Sequence, residues 1–110
     1  MKESKVIELT KKLFKQIFPD CSITKVNVSR LHGRGFPDLV VITEYTVFFL
    51  EAKAPGKKPT KLQKATLCEF KRAGKGKVRS LWVEGSLKNK KKLIFHDPET
   101  DSIDCEICLL

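Results

Sequence analysis

Apolar residues recur at helical spacing over the first part of the chain: Val6, Leu9, Leu13 and Ile17 form a stripe that Ile7, Phe14 and Phe18 widen. That spacing predicts an amphipathic helix over Glu3 to Phe18, ended by Pro19 and Asp20. From Ser22 to Leu31 the pattern changes to alternation, with Ile23, Val26 and Val28 among polar neighbours, and predicts a first strand. His32-Gly33-Arg34-Gly35-Phe36-Pro37 reads as a turn. Two short runs follow, Asp38 to Ile42 and Thr46 to Lys53, separated only by Thr43, Glu44 and Tyr45, so they should close as an antiparallel hairpin. Val40, Ile42, Val47 and Phe49 mark one face of that hairpin, and Leu39, Val41, Phe48 and Leu50 the other. A hairpin apolar on both faces belongs in the middle of a covered sheet.

Ala54 to Pro59 is a loop rich in Pro, Gly and Lys, and Thr60 opens a second helix that runs to about Arg72 before Gly74 and Gly76. Val78 to Val83, carrying Trp82, reads as a further strand. After Gly85 come the basic run Lys88 to Lys92, the short run Leu93 to Phe95, the turn Asp97 to Asp101, and an alternating tail. These last segments predict a hairpin appended to the core. Helix, strand, hairpin, helix, strand and extra hairpin make an α/β fold, a mixed sheet with helices against it, within one domain of 110 residues.

Charge narrows the partners. Twenty-two Lys and Arg against thirteen Asp and Glu give a formal net charge of +9, which draws polyanions such as nucleic acid or an anionic membrane. No apolar run approaches the roughly 18 to 20 residues that span a bilayer, and the Met-Lys-Glu-Ser start lacks the apolar stretch of an export signal. The expectation is a cytoplasmic protein of a bacterial or phage-infected cell, close to the nucleoid. Cys21, Cys68, Cys105 and Cys108 should then remain reduced. Cys105 and Cys108 have the spacing of a zinc knuckle, with His96 as a further ligand. Yet the alternation of Ile103, Cys105, Ile107 and Leu109 places them on a strand, where positions 105 and 108 face opposite sides.

The hairpin carries the chemistry. If it closes symmetrically about Glu44 and Tyr45, Ile42 faces Val47, Val40 faces Phe49, and Asp38 faces Glu51. Directly opposed residues have Cα atoms roughly 4.5 to 5.5 Å apart, so both carboxylates can reach one ion. Lys53 lies two residues past Glu51 and projects from the same face. Charged groups beside a buried sheet are unfavourable unless paired or bound to metal. One reading is an internal ion-pair network at a strand end. The other is a site for Mg²⁺, with Mn²⁺ as substitute, since that ion takes a few carboxylate oxygens and completes its shell from water and phosphate.

Pro37-Asp38 followed by Glu51-Ala52-Lys53 resembles the signature of the PD-(D/E)XK nuclease superfamily. Gly35-Phe36-Pro37-Asp38-Leu39 with Leu50-Glu51-Ala52-Lys53 is similar to its VRR-NUC branch, and the resemblance extends from the first helix through about Trp82. It implies a restriction-endonuclease-like core of order αβββαβ, with the C-terminal hairpin appended. It further implies that Asp38 and Glu51 hold a divalent ion, that Lys53 assists the attacking water, and that phosphodiester bonds of DNA are hydrolysed. In that family a glutamate of the first helix completes the metal site, here Glu8, and a glutamine of the second helix, here Gln63, belongs to the pattern. Glu8, however, lies nearly opposite the apolar stripe, where it can pair with Lys12. Gln63 stands three residues after Thr60, as in a capping box. Small stand-alone members act as homodimers on branched DNA such as four-way junctions. The Ile103, Ile107, Leu109 and Leu110 face of the last hairpin is the candidate dimer surface.

Arg30, His32 and Arg34 lead into Asp38, while Lys57, Lys58, Lys61 and Lys64 surround the start of the second helix. Both groups are candidate phosphate contacts flanking the site, and Lys88 to Lys92 is a further basic run. The competing function is a non-catalytic basic nucleic-acid-binding module. A zinc adaptor built on His96, Cys105 and Cys108 is a third.

Overall fold

The computed structural model describes residues 1–26 and 35–110. The second half of the expected first strand, the turn from His32, and the candidate contacts Arg30, His32 and Arg34 fall outside these residues. The elements run α1 (Glu3–Ile17), β1 (Ser22–Lys25), β2 (Leu39–Ile42), β3 (Val47–Lys53), α2 (Lys61–Gly74), β4 (Val78–Gly85), β5 (Lys92–His96) and β6 (Ile103–Cys108). All six strands form one sheet in sequence order. Every neighbouring pair is antiparallel except β3 and β4, which are parallel and joined through α2. The last hairpin therefore continues the sheet, with β6 as its outer edge.

The two helices cover opposite faces, and strand alternation decides which residues each receives. On the α1 side Val6, Leu9, Leu13 and Phe14 meet Leu39, Val41, Leu50, Leu81, Val83, Leu93 and Phe95 in one buried cluster. Phe14 packs edge-on against Phe48, with ring centroids 4.9 Å apart. On the α2 side Phe70 meets Phe49 at 4.7 Å and Phe36 at 5.5 Å. The Ser80 hydroxyl there donates to the Leu67 carbonyl at 2.7 Å.

Element ends follow from hydrogen bonding. α1 stops where Pro19 cannot continue it, the Phe18 amide making the last bond to Phe14. α2 begins at an N-cap Thr60 and ends over Lys75, whose φ of 47° is left-handed. The β2–β3 turn is tied by Thr43, whose hydroxyl accepts from the amides of Tyr45 at 3.1 Å and Thr46 at 3.0 Å. Asp38 precedes β2 and does not belong to its ladder, since its side chain takes over the bonding there.

Gly35 explains how the segment before Asp38 passes α2. Its φ is +95°, and a Cβ there would lie 2.9 Å from both Leu62 Cγ and Thr66 Oγ1. Glycine is required on both counts. Gly35→Ala is expected to lose about 1–3 kcal/mol of stability, read as a shift of the urea midpoint, whereas Gly56→Ala, with open space around it, should lose less.

Candidate active site

The hairpin register is the one read from the sequence: Ile42 pairs with Val47, Val41 with Phe48, Val40 with Phe49 and Leu39 with Leu50. One further step brings Asp38 to Glu51. The ladder ends there because Asp38 Oδ2 accepts from the Ala52 amide at 2.8 Å, replacing a backbone acceptor with a carboxylate. The Asp38 carbonyl meanwhile accepts from the Val26 amide at 2.8 Å. Asp38 is thus fixed by both neighbouring strands.

Glu51 is the unusual residue. It is only 2% exposed, in the middle of a sheet face that α2 covers. Its Oε2 accepts from Gln63 Nε2 at 3.3 Å and lies 3.7 Å from the Lys53 ammonium. Its Oε1 is buried and has no partner. Gln63 makes the capping box as well: its backbone amide donates to Thr60 Oγ1 at 3.2 Å, and its Oε1 accepts from the Thr60 amide at 2.9 Å. One amide side chain therefore caps α2 with its oxygen and holds Glu51 with its nitrogen.

The first helix supplies an acid, though not the one expected. Glu8 is half exposed and pairs with Lys5 at 3.5 Å and Lys12 at 3.3 Å, which hold its carboxyl below the usual range. The structure does not bring Glu8 to the carboxylate pair. Glu3 lies closer, its Oε1 3.9 Å from Lys53 Nζ. Helical geometry accounts for the exchange, because Glu3 precedes Val6 and Ile7 by three and four residues and so continues the buried stripe, while Glu8 points away from it. That projection was available in the sequence.

Burial pushes the Glu51 carboxyl up to about 9, helped by the Asp38 carboxylate beside it and opposed by Lys53. Two acids thus meet where only one charge is readily carried. A divalent cation relieves this arrangement. It fits the donor set, since the buried orphan Glu51 Oε1 lacks a partner and hard carboxylate oxygens suit Mg²⁺. Among the described residues no three His, Cys, Asp or Glu side chains form a ready-made cage. An ion held by Asp38 and Glu51 would keep room for water and phosphate.

The basic residues divide. Lys57, Lys58 and Lys61 are exposed beside the start of α2. Lys64, half-buried, makes an ion pair with Asp101 at 2.7 Å. Asp101 Oδ1 in turn accepts from Trp82 Nε1 at 3.2 Å. Trp82 stacks on His96 at 3.8 Å, and His96 Nε2 is 3.7 Å from Glu84. Because β3 and β4 are parallel, Trp82 aligns with Glu51 and Glu84 with Lys53. This polar floor carries no local signal in the sequence, because only the parallel pairing connects it to the site. Among the described residues His96, Cys105 and Cys108 are not brought together as zinc ligands: Cys105 pairs with Phe95 on the face away from the His96 ring, and Cys108 is exposed.

No family model and no curated protein matches the sequence. Among solved structures, one described as a VRR_NUC domain aligns with a TM-score of 0.58 at 26% identity, covering 82% of this chain and 90% of that one. Hjc of Archaeoglobus fulgidus, a Holliday junction resolvase from an archaeal hyperthermophile, aligns with a TM-score of 0.55 at 12% identity, covering 93% of this chain and 87% of that one. The second likeness is one of fold. Together they bear out the restriction-endonuclease-like architecture and the resemblance to VRR-NUC domains.

A carboxyl raised from 4.5 to about 9 is protonated in the folded chain over a range where the unfolded chain has already lost the proton. Its contribution to stability therefore falls as pH rises through that window. In chelator, the melting temperature of the native chain should drop from pH 5 to pH 9 relative to Glu51→Gln, which cannot ionise. Mg²⁺ should release protons on binding at pH 7, seen as a buffer-dependent heat in titration calorimetry. Parallel melting curves for the two proteins would contradict the assignment.

Proposed function

We propose that this chain, similar in fold and motif to the VRR-NUC nucleases, is a Mg²⁺-dependent endodeoxyribonuclease that hydrolyses phosphodiester bonds in branched DNA. The observation that carries the reading is the buried Glu51 Oε1, unpartnered beside a second carboxylate and an ammonium. Buried polar atoms are ordinarily paired, so an oxygen left open beside a second acid suits a bound cation.

The roles follow from the bonding. Asp38 gives one oxygen to the Ala52 amide, which fixes its orientation. Glu51 is held through Oε2 by Gln63 and Lys53. The remaining oxygens of the two acids would hold the ion. When bound, the ion neutralises charge on the scissile phosphate and favours ionisation of water. Lys53, largely buried between Glu51 and Glu3, keeps its ammonium beside the acid pair, from which it would donate to the attacking water or a phosphate oxygen. Water adds to phosphorus and the P–O bond to the sugar breaks, which leaves a phosphate end and a hydroxyl end. Gln63 acts on Glu51, and Glu3 supplies the helix-borne carboxylate in place of Glu8.

The net charge of +9 and the exposed Lys57, Lys58 and Lys61 suit a DNA backbone next to these residues. The branched substrate is supported by the fold shared with a junction resolvase. Symmetric cleavage of a four-way junction takes two sites, and a chain carrying one of them would supply the second as a homodimer.

Asp38→Ala is expected to reduce cleavage of labelled junction DNA by roughly three orders of magnitude while binding in chelator stays close to that of the native chain. Equal cleavage by the variant, or cleavage unaffected by chelator, would overturn the metal site. Binding with no cleavage by the native chain in Mg²⁺ or Mn²⁺ would favour the binding-module reading.

Gln63→Ala should lose about 1 kcal/mol of stability through the cap. It should also lower the cleavage rate, whereas Thr60→Ala should lose the cap and leave cleavage nearly unchanged. Matching cleavage losses in the two variants would show that Gln63 matters only as a cap. Sedimentation of a monomer at working concentration would remove symmetric junction cleavage and leave a nicking enzyme.

A further inference from the structure

Leu87, in the turn between β4 and β5, is 82% exposed. A single exposed leucine is ordinary on a protein surface. Three observations distinguish this one.

The first is that its turn is built. The Ser86 amide donates to the Lys92 carbonyl at 3.0 Å, and the Ser86 hydroxyl accepts from the amides of Lys88 at 3.2 Å and Asn89 at 3.3 Å. The Asn89 side-chain oxygen accepts from the Lys91 amide at 2.9 Å, and the Lys91 carbonyl from the Leu109 amide at 2.8 Å. A turn bonded from inside on this scale presents its tip with little ordering left to be done on binding.

The second is its setting. Lys88, Lys90 and Lys91 are exposed in the same turn. Lys90 also lines a groove of about 420 Å³ with Lys2, Lys5 and Glu8 of the α1 start, where Lys5 is paired with Glu8 and Lys2 and Lys90 add further positive charge. The apolar tip thus belongs to a turn that carries three exposed lysines.

The third is its position. Glu84 aligns with Lys53 across the parallel β3–β4 pair, and Leu87 follows Glu84 by three residues. At roughly 3.3 Å per residue, it lies no more than about 10 Å along the chain from the level of Lys53. Three base-pair rises span a similar length, at about 3.4 Å each.

We propose that Leu87 is a wedge that enters between two bases of the bound DNA a few steps from the cut, with Lys88, Lys90 and Lys2 holding the phosphates around it. The proposal rests on the reading of the chain as a DNA nuclease. An apolar side chain that separates a base step is best tolerated where stacking is already broken. Leu87 would therefore favour branched or nicked DNA over intact duplex, without reading any base.

The test uses the full chain in chelator, so that nothing is cut, and four-way junctions carrying 2-aminopurine at successive positions on each side of the branch. The native chain is expected to raise the fluorescence several-fold at one or two adjacent positions. Leu87→Ser should abolish that rise and lower the preference for junction over linear duplex by roughly tenfold. Leu87→Phe should restore both. An identical rise with Leu87→Ser, or no rise although the DNA is bound, would overturn the wedge. Asp38-dependent cleavage without unstacking would sink the wedge alone. Leu87-dependent unstacking by a chain that never cuts would sink the nuclease reading alone. A failure to bind DNA would overturn both.

Discussion

The hydrogen bond from the Ala52 amide to Asp38 Oδ2, 2.8 Å long, joins the end of one strand to the end of the next and decides what the rest of this site can be. It forms because the β2–β3 ladder keeps a single register from Ile42 and Val47 up to Leu39 and Leu50. A slip of one residue in β2 would turn Asp38 toward the α1 core while Glu51 stayed on the α2 face, and the two acids would part. The apolar pattern prevents that slip, since Leu39, Val41 and Leu50 are fully buried under α1. Core packing on one face of the sheet therefore sets the chemistry on the other.

That chemistry is held under electrostatic tension. A carboxyl as buried as Glu51 would ordinarily be replaced by an apolar side chain, because its charge is poorly solvated there. Here it faces a second acid, and Gln63 and Lys53 engage only one of its oxygens. The cap of α2 is part of the same arrangement, since Gln63 uses opposite ends of one amide for Thr60 and for Glu51. One side chain thus serves the helix start with its oxygen and the site with its nitrogen. Beneath them the Lys64–Asp101–Trp82 chain ties α2 to the β5–β6 turn and keeps the helix start in place.

Much of this was legible in the sequence because the strongest signals were local. The symmetric hairpin, the Asp38–Glu51 pairing, the helix over residues 3 to 17 and the Thr60–Gln63 box all depend on spacing over a few residues. What was misread depended on three-dimensional placement. The resemblance points to Glu8 as the helix-borne acid, whereas Glu3, which extends the apolar stripe of α1 as Glu8 does not, is the one beside Lys53. Lys64 looked like one more surface cation until Asp101, 37 residues away in sequence, was found against it. The appended last hairpin is present as expected; alternation reveals its strands but not their neighbour, and the β4–β5 pairing shows that it widens the sheet.

The central claim is that Asp38 and Glu51 share one divalent ion. Anomalous diffraction from crystals of the native chain soaked in Mn²⁺ tests it most directly. The account predicts a peak between the two carboxylates, in contact with Glu51 Oε1, that disappears in Asp38→Ala crystals. A peak only elsewhere, or none at millimolar Mn²⁺ in a lattice that leaves the site open, would contradict it.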